Sequence, residues 1–462
     1  MTRRAIAAAL AAAVALVLLT PWLLGLVAEQ RYRAGLEALS SSGYRVLQHE
    51  YRRDWLRSTA LLVIAPPSNN GVEPPRLQVA SRIAHGPRGD AWSAWPPAVA
   101  VARSRLTVVG GPRRLPPLTL NTAFSIGGSV VADFGLPGIT YSGRAGALHL
   151  LDGRGRVRFT SSIDAWRGRG ALPLLEAVDS DDRTLVLRGL AWEFELHNLS
   201  NGVPAGRLML RLDALQLEAA PDQPLLTLGG ALFNLDTAVD KGQAQGEAEV
   251  RIDQLTLNHA DFAPSIVRIG VTGVDAASLA ALLDALRELN AGNLQGSIRG
   301  LAIGRLLTRS LPEILSASPR LTLEQLELTT PNGAVTASGQ LTLTNERGQV
   351  AGRADLPAAY WAHRLSGEAR LSVPQALVLQ LLVDEQRKRV QQELRNLGEP
   401  AAPLPARLAE EVEAAAQASL MSLLRHGWLV ADRGRLSASA VISDGVLRLN
   451  GKPLPINRWT TP

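Results

Sequence analysis

Histidines, clustered carboxylates and glycine pairs are the residues of this 462-residue chain whose types and spacing bear on chemistry. The seven histidines, His49, His85, His149, His197, His259, His363 and His426, stand apart from one another. They form no His-x-x-x-His pair and no His-Glu-x-x-His helix, so the ligand spacing of a zinc site is missing. Cysteine is absent altogether, which removes disulfides, thiolate nucleophiles and thiolate metal sites together. His85, in His85-Gly86-Pro87, is the imidazole to inspect first, as a side chain that holds a turn. Asp179, Asp181 and Asp182 offer the oxygen donors that a hard cation prefers, but without the glycine and distal glutamate of a calcium loop they read as a solvated turn. No nucleophile elbow, Walker loop or dinucleotide fingerprint occurs, and the partial matches Gly153-Arg154-Gly155 and Gly168-Arg169-Gly170 read as turns. Trp55, Trp92, Trp95, Trp166, Trp192 and Trp361 are too irregularly spaced for a stacking platform and read as core or edge packing, with Trp92 and Trp95 in a loop that would lie near a membrane surface. The residues therefore assign no catalytic, cofactor-binding or metal site.

The elements that must position these residues begin with an apolar run. Ala5 to Val27 carries no charge, and at about 1.5 Å per residue it measures ~34 Å, enough for a ~30 Å hydrocarbon core. Arg3 and Arg4 precede it, so the positive-inside rule leaves residues 1–4 as a cytoplasmic tip and exports the rest, although Arg31 and Arg33 weaken the asymmetry. A cleaved signal peptide is the competing reading, but the run is longer than a usual signal core and lacks a small-x-small site. The expectation is a retained single-pass anchor at 5–27 and a juxtamembrane helix or linker at 28–43. The net charge of +6 comes from arginines scattered among acids rather than gathered in runs, which points away from nucleic acid.

Residues 44–260 alternate apolar and polar positions in short stretches such as Thr184-Leu-Val-Leu-Arg188 and Leu208-Met-Leu-Arg-Leu212. Period two with turn formers between, among them Asn201-Gly202 and Lys241-Gly242, predicts a long antiparallel meander forming a curved, elongated sheet. Residues 261–373 read as a strand, a helix opening after Asp275 with Leu279, Leu282, Leu283 and Leu286 on one face, and a hairpin around Pro331-Asn332-Gly333. Residues 374–426 read as two antiparallel amphipathic helices, the first burying Ala376, Leu379, Val383, Val390, Leu394 and Leu397. That stripe would pack on the sheet, with pairing to a second protomer as the alternative. Residues 427–462 close the chain as a hairpin turning at Asp444-Gly445, plus a tail.

The terminal run Asp444-Gly445-Val446-Leu447-Arg448-Leu449-Asn450-Gly451-Lys452-Pro453 resembles the ending of the YdgA-like proteins, catalogued as domain of unknown function 945. Tyr51-Arg52-Arg53-Asp54-Trp55-Leu56-Arg57-Ser58 resembles that family's tryptophan segment, with Asp54 where it favours glycine and Leu56 where it favours an aromatic, and Ala84-His85-Gly86-Pro87 resembles its His-Gly-Pro segment. The resemblance implies an inner-membrane-anchored envelope protein and carries over no catalytic residues. More remotely the strand-rich middle is similar to AsmA-like envelope proteins, whose β-lined grooves are associated with lipid traffic.

Three functions follow as expectations: a non-enzymatic envelope protein with a structural or partner-binding role, a lipid-binding or lipid-transfer protein with an apolar groove, and a hydrolase assembled from scattered Asp, Ser and His. The partners to look for are the inner membrane, phospholipid or an envelope protein, and a second copy through the C-terminal helices, with the body in the periplasm and no cofactor.

Overall fold

The computed structural model describes residues 44–65, 76–85, 98–110, 116–125, 127–143, 146–160, 164–181, 183–197, 202–220, 223–257, 260–291, 300–306, 317–344, 363–396 and 405–455, with scattered positions between 25 and 40 and at 310 and 314. Residues 1–24 lie outside these, and with them most of the expected anchor. Among the described residues no helix is long and apolar enough to cross a membrane. Gly86, Pro87, Trp92, Trp95, Asp182, Trp361 and Leu397 also lie outside.

The protein is β-rich, built from antiparallel ladders with few helices, as the period-two patterning predicts. It divides into two compact units. The first comprises Met1–Asp222, Asp236–Val239 and Ala276–Leu311, and the second Gln223–Leu235, Asp240–Asp275 and Pro312–Pro462.

In the first unit the strands Arg45–Arg53, Arg57–Ala65, Arg76–His85, Ala98–Val109, Leu118–Ser125 and Val130–Leu136 pair in sequence order. The meander is then interrupted. Val130–Leu136 pairs with Gly153–Phe159, while the hairpin of Ile139–Gly143 and Gly146–Leu150 docks on the far half of Trp166–Val178. Gly153–Phe159, Trp166–Val178, Thr184–His197 and Ala205–Ala220 complete the ladder. The helix α1, Ala276–Ala291, also belongs to this unit; Leu282 is buried and Leu279, Leu283 and Leu286 half-buried, as the helical spacing requires.

The two glycine pairs are a correction. Gly153-Arg154-Gly155 and Gly168-Arg169-Gly170 lie within strands, not in turns. Register aligns Phe134, Gly155, Gly170 and Trp192 on four successive strands. The rings of Phe134 and Trp192 meet across the glycines at 5.9 Å and 6° between planes, and Phe194 stacks on Trp192 at 5.6 Å beside Gly168. A Cβ on Gly155 would stand 2.2 Å from the Phe134 ring, and one on Gly170 2.4 Å from Trp192. The glycines exist because aromatic rings occupy the space their side chains would fill.

The second unit pairs Gln243–Leu257, Ser265–Asp275, Arg320–Thr330, Gly333–Leu343, Leu365–Pro374, Arg435–Ser443, Val446–Leu449 and Lys452–Pro455 in that order. Two helices, α2 (Gln375–Asn396) and α3 (Ala406–Arg425), pack on it. The core gathers Val335, Val373, Leu420 and Leu436 with Leu377, Val378, Leu379 and Leu382 against them. Ala376 is exposed, a correction to the expected stripe, because the chain leaves the strand with Leu377 and Val378 turned to the sheet.

Candidate functional site

Two arrangements emerge, one in each unit. In the first unit the tryptophan segment forms the turn between Arg45–Arg53 and Arg57–Ala65, closed by Asp54 N–H donating to the Arg57 carbonyl at 2.8 Å and Asp54 Oδ1 accepting from Trp55 N–H at 2.7 Å. Trp55 itself is exposed. The His-Gly-Pro segment returns to it, with His85 N–H on the Leu56 carbonyl at 2.9 Å. Ser58 and His85 are each only 2% exposed, and Ser58 Oγ lies 2.7 Å from His85 Nε2. The two segments that carry the family resemblance thus meet at one buried hydrogen bond. Burial first, and then the Arg53 charge, lower the His85 pKa, so the imidazole is held neutral. Burial raises the Tyr51 pKa, and its ring rests 5.2 Å from Tyr32. Tyr51 Oη has Ser58 beside it but no partner in hydrogen-bond geometry, and His85 Nδ1 likewise has none among the described residues. A serine enclosed this way is out of solvent's reach, and its bond ties two strands together.

The terminal motif is also structural in its contacts. Asp444-Gly445 and Asn450-Gly451 have φ of 51° and 75°, and 49° and 80°, the left-handed pairs that two-residue hairpin turns demand. The Asn450 side chain accepts from Ser439 N–H at 2.7 Å and donates to the carbonyls of Gly427 and Trp428 at 3.0 and 2.9 Å. Lys452 Nζ donates to the His426 carbonyl at 2.6 Å, placing a cation at the C-terminus of α3. Pro453 faces Arg448 across the last hairpin. Asp179 Oδ1 accepts from the N–H groups of Asp181 and Arg183, so its carboxylate closes a turn, and no cluster that could hold a metal occurs among the described residues.

The second arrangement is an open trough of about 640 Å³ in the second unit, with almost wholly apolar walls. One cross-strand row runs Ile269, Leu323, Gly339, Ala369, Ala440, Leu449, and the next runs Val271, Leu321, Leu341, Gly367, Ile442, Leu447. Gly339, Ala369 and Ala440 on the central strands of the first row and Gly367 in the second leave space between larger residues on the flanks, which makes a channel rather than a flat face. A register shift between Leu323 and Leu326 keeps both leucine pairs of Leu321-Thr-Leu-Glu-Gln-Leu-Glu-Leu328 on this face; strict alternation would send one pair to the other side. α2 and α3 cover the end at Val335, Val373 and Leu436. The trough continues the same face past them, where Leu321 is 46% exposed. Its size lies within the roughly 300–1,000 Å³ of small-molecule sites. Sequence reasoning listed the leucines as strand residues and passed over Gly339, Gly367, Ala369 and Ala440, whose only signal is small residues recurring with period two.

A family model described as a bacterial protein of unknown function (DUF945) matches residues 1–457. The chain belongs to this family. No curated protein and no solved structure matches this DUF945 chain, so the remoter AsmA likeness finds no match.

Proposed function

We propose that this DUF945 protein is a non-enzymatic component of the bacterial envelope, tethered to the inner membrane by residues 5–27 with its body in the periplasm, and that its second unit binds the acyl chain of a lipid. The observation that carries the reading is the trough. An open apolar channel of about 640 Å³ is costly to leave in water, since exposed apolar surface of this kind marks a binding groove. Its walls offer carbon and few hydrogen-bonding groups, which suits an acyl chain better than a polar substrate. A tether at the bilayer would supply such a ligand at high local concentration.

The test uses the full chain, extracted in a mild detergent and incubated with a photo-crosslinkable fatty acid. Crosslinks are expected on peptides within 320–343, 365–374 and 435–449. A Leu321→Gln, Leu341→Gln variant, altered at two exposed positions that face each other, is expected to lose them while keeping its circular dichroism. Crosslinks spread over the whole chain, or unchanged in the variant, would sink the reading.

A further inference from the structure

The arginines are scattered in sequence, but the ladder of the first unit collects them. On Gly153–Phe159, Arg154, Arg156 and Arg158 recur with period two, and on the neighbouring Trp166–Val178 so do Arg167 and Arg169. Arg156 lies opposite Arg169 and Arg158 opposite Arg167, all exposed on one face. Following register outward from Arg156, the same row passes through Asp133 and Asn121 to Arg103, Arg82, Thr59 and Arg52. Acids answer only part of this charge: Asp133 binds Arg156 at 2.5 Å, Glu195 binds Arg167, Glu50 binds Arg52, and Glu193 registers opposite Arg169 without an ion pair to it. Arg154, Arg158 and Arg169 have no ion-pair partner among the described residues. Like charges facing each other across strands destabilise a sheet, so the arrangement costs the free protein energy that a bound anion would return.

We propose that this face of the first unit binds the anionic headgroups of a phospholipid bilayer, at a surface separate from the trough and independent of it. Eight strands at about 4.8 Å spacing spread the charge over roughly 34 Å, and the rows run side by side, so the face presents a two-dimensional array like that of lipid phosphates. Single-stranded nucleic acid would call for aromatic rings on the same face, on which its bases stack. Phe134, Phe159, Trp166, Trp192 and Phe194 all register on the opposite face of the ladder. The chain that follows the apolar segment is fastened to this unit, Tyr32 against Tyr51 and Glu29 to Arg53 at 3.4 Å, so the tether proposed above, on which this point rests, would hold the unit beside a bilayer.

To test this, the full chain is held in nanodiscs of phosphatidylcholine and offered separate vesicles with or without phosphatidylglycerol, and bound vesicles are measured by flotation. Binding is expected only with phosphatidylglycerol, is expected to weaken as salt rises, and is expected to fall at least tenfold in Arg154→Gln, Arg158→Gln, Arg169→Gln. A thermal melt of the variant checks that these exposed changes leave the fold intact. Equal binding to both vesicle types, or undiminished binding by a folded variant, would overturn the proposal. Displacement of the vesicles by a short single-stranded DNA at lower phosphate concentration than phosphatidylglycerol would overturn it in favour of nucleic acid.

Discussion

At the scale of single residues, the buried Ser58–His85 pair makes stability depend on pH. The folded state holds His85 below its ordinary value of 6.5, so as pH falls below 6.5 the unfolded chain takes up a proton that the folded chain refuses. Stability is therefore full above about pH 6.5 and is lost as pH falls toward the lowered folded value. Urea unfolding at about pH 7.5 and about pH 5.5 should show this loss in the native chain, and His85→Gln should flatten it; an equally steep loss in the variant would exclude His85 as its source. Asn450 makes a second residue-scale prediction. Asn450→Ala removes an acceptor for Ser439 and donors to Gly427 and Trp428, and should cost about 1–3 kcal/mol in denaturant unfolding. Asn450→Asp keeps the acceptor but sets a carboxylate oxygen against the Gly427 and Trp428 carbonyls, and should cost at least as much as the alanine. Both sites were legible as motif positions, but the sequence could not say that Ser58 and His85 touch, because strand pairing across a 27-residue separation brings them together.

Among elements, the glycine strands of the first unit are specified by their neighbours. Gly155→Ala forces its Cβ into the Phe134 ring, and overpacking of this kind typically costs about 1–3 kcal/mol. In a Phe134→Ala background the same substitution should cost far less, and the double-mutant cycle measures the coupling. Additive effects would show that the ring and the glycine do not share that space. The strands and their hairpin turns could be read from alternation and from Lys241-Gly242 and Asp444-Gly445, because both signals are local, whereas the second turn at Asn450-Gly451 falls in what reads as a tail. The glycine pairs could not, since a glycine beneath an aromatic ring and a glycine in a turn look alike until the ring's strand is paired. The phase break in Leu321-Thr-Leu-Glu-Gln-Leu-Glu-Leu328 was present in the sequence, and its meaning as a bulge needed the partner strand.

For the whole molecule, an apolar ligand that occupies the trough of the folded state must stabilise it by mass action. A saturating medium-chain fatty acid should raise the melting temperature of the full chain, and Leu321→Gln, Leu341→Gln should abolish the shift; an equal shift in both would place the ligand elsewhere. The open apolar surface lies on the face that α2 and α3 partly cover. The sequence by itself determined the β-rich antiparallel class, the positions of α1, α2 and α3, most of the hairpin turns and the family, because these follow from periodicity, turn chemistry and motifs within a few residues of one another. Tertiary structure alone decided that small residues on the central strands make a trough, that arginines far apart in sequence form one face, and that the Trp and His-Gly-Pro segments meet at Ser58 and His85. The physical reason is register: period two fixes which residues of one strand share a face, but only hydrogen-bonded pairing fixes which residues of the next strand stand beside them.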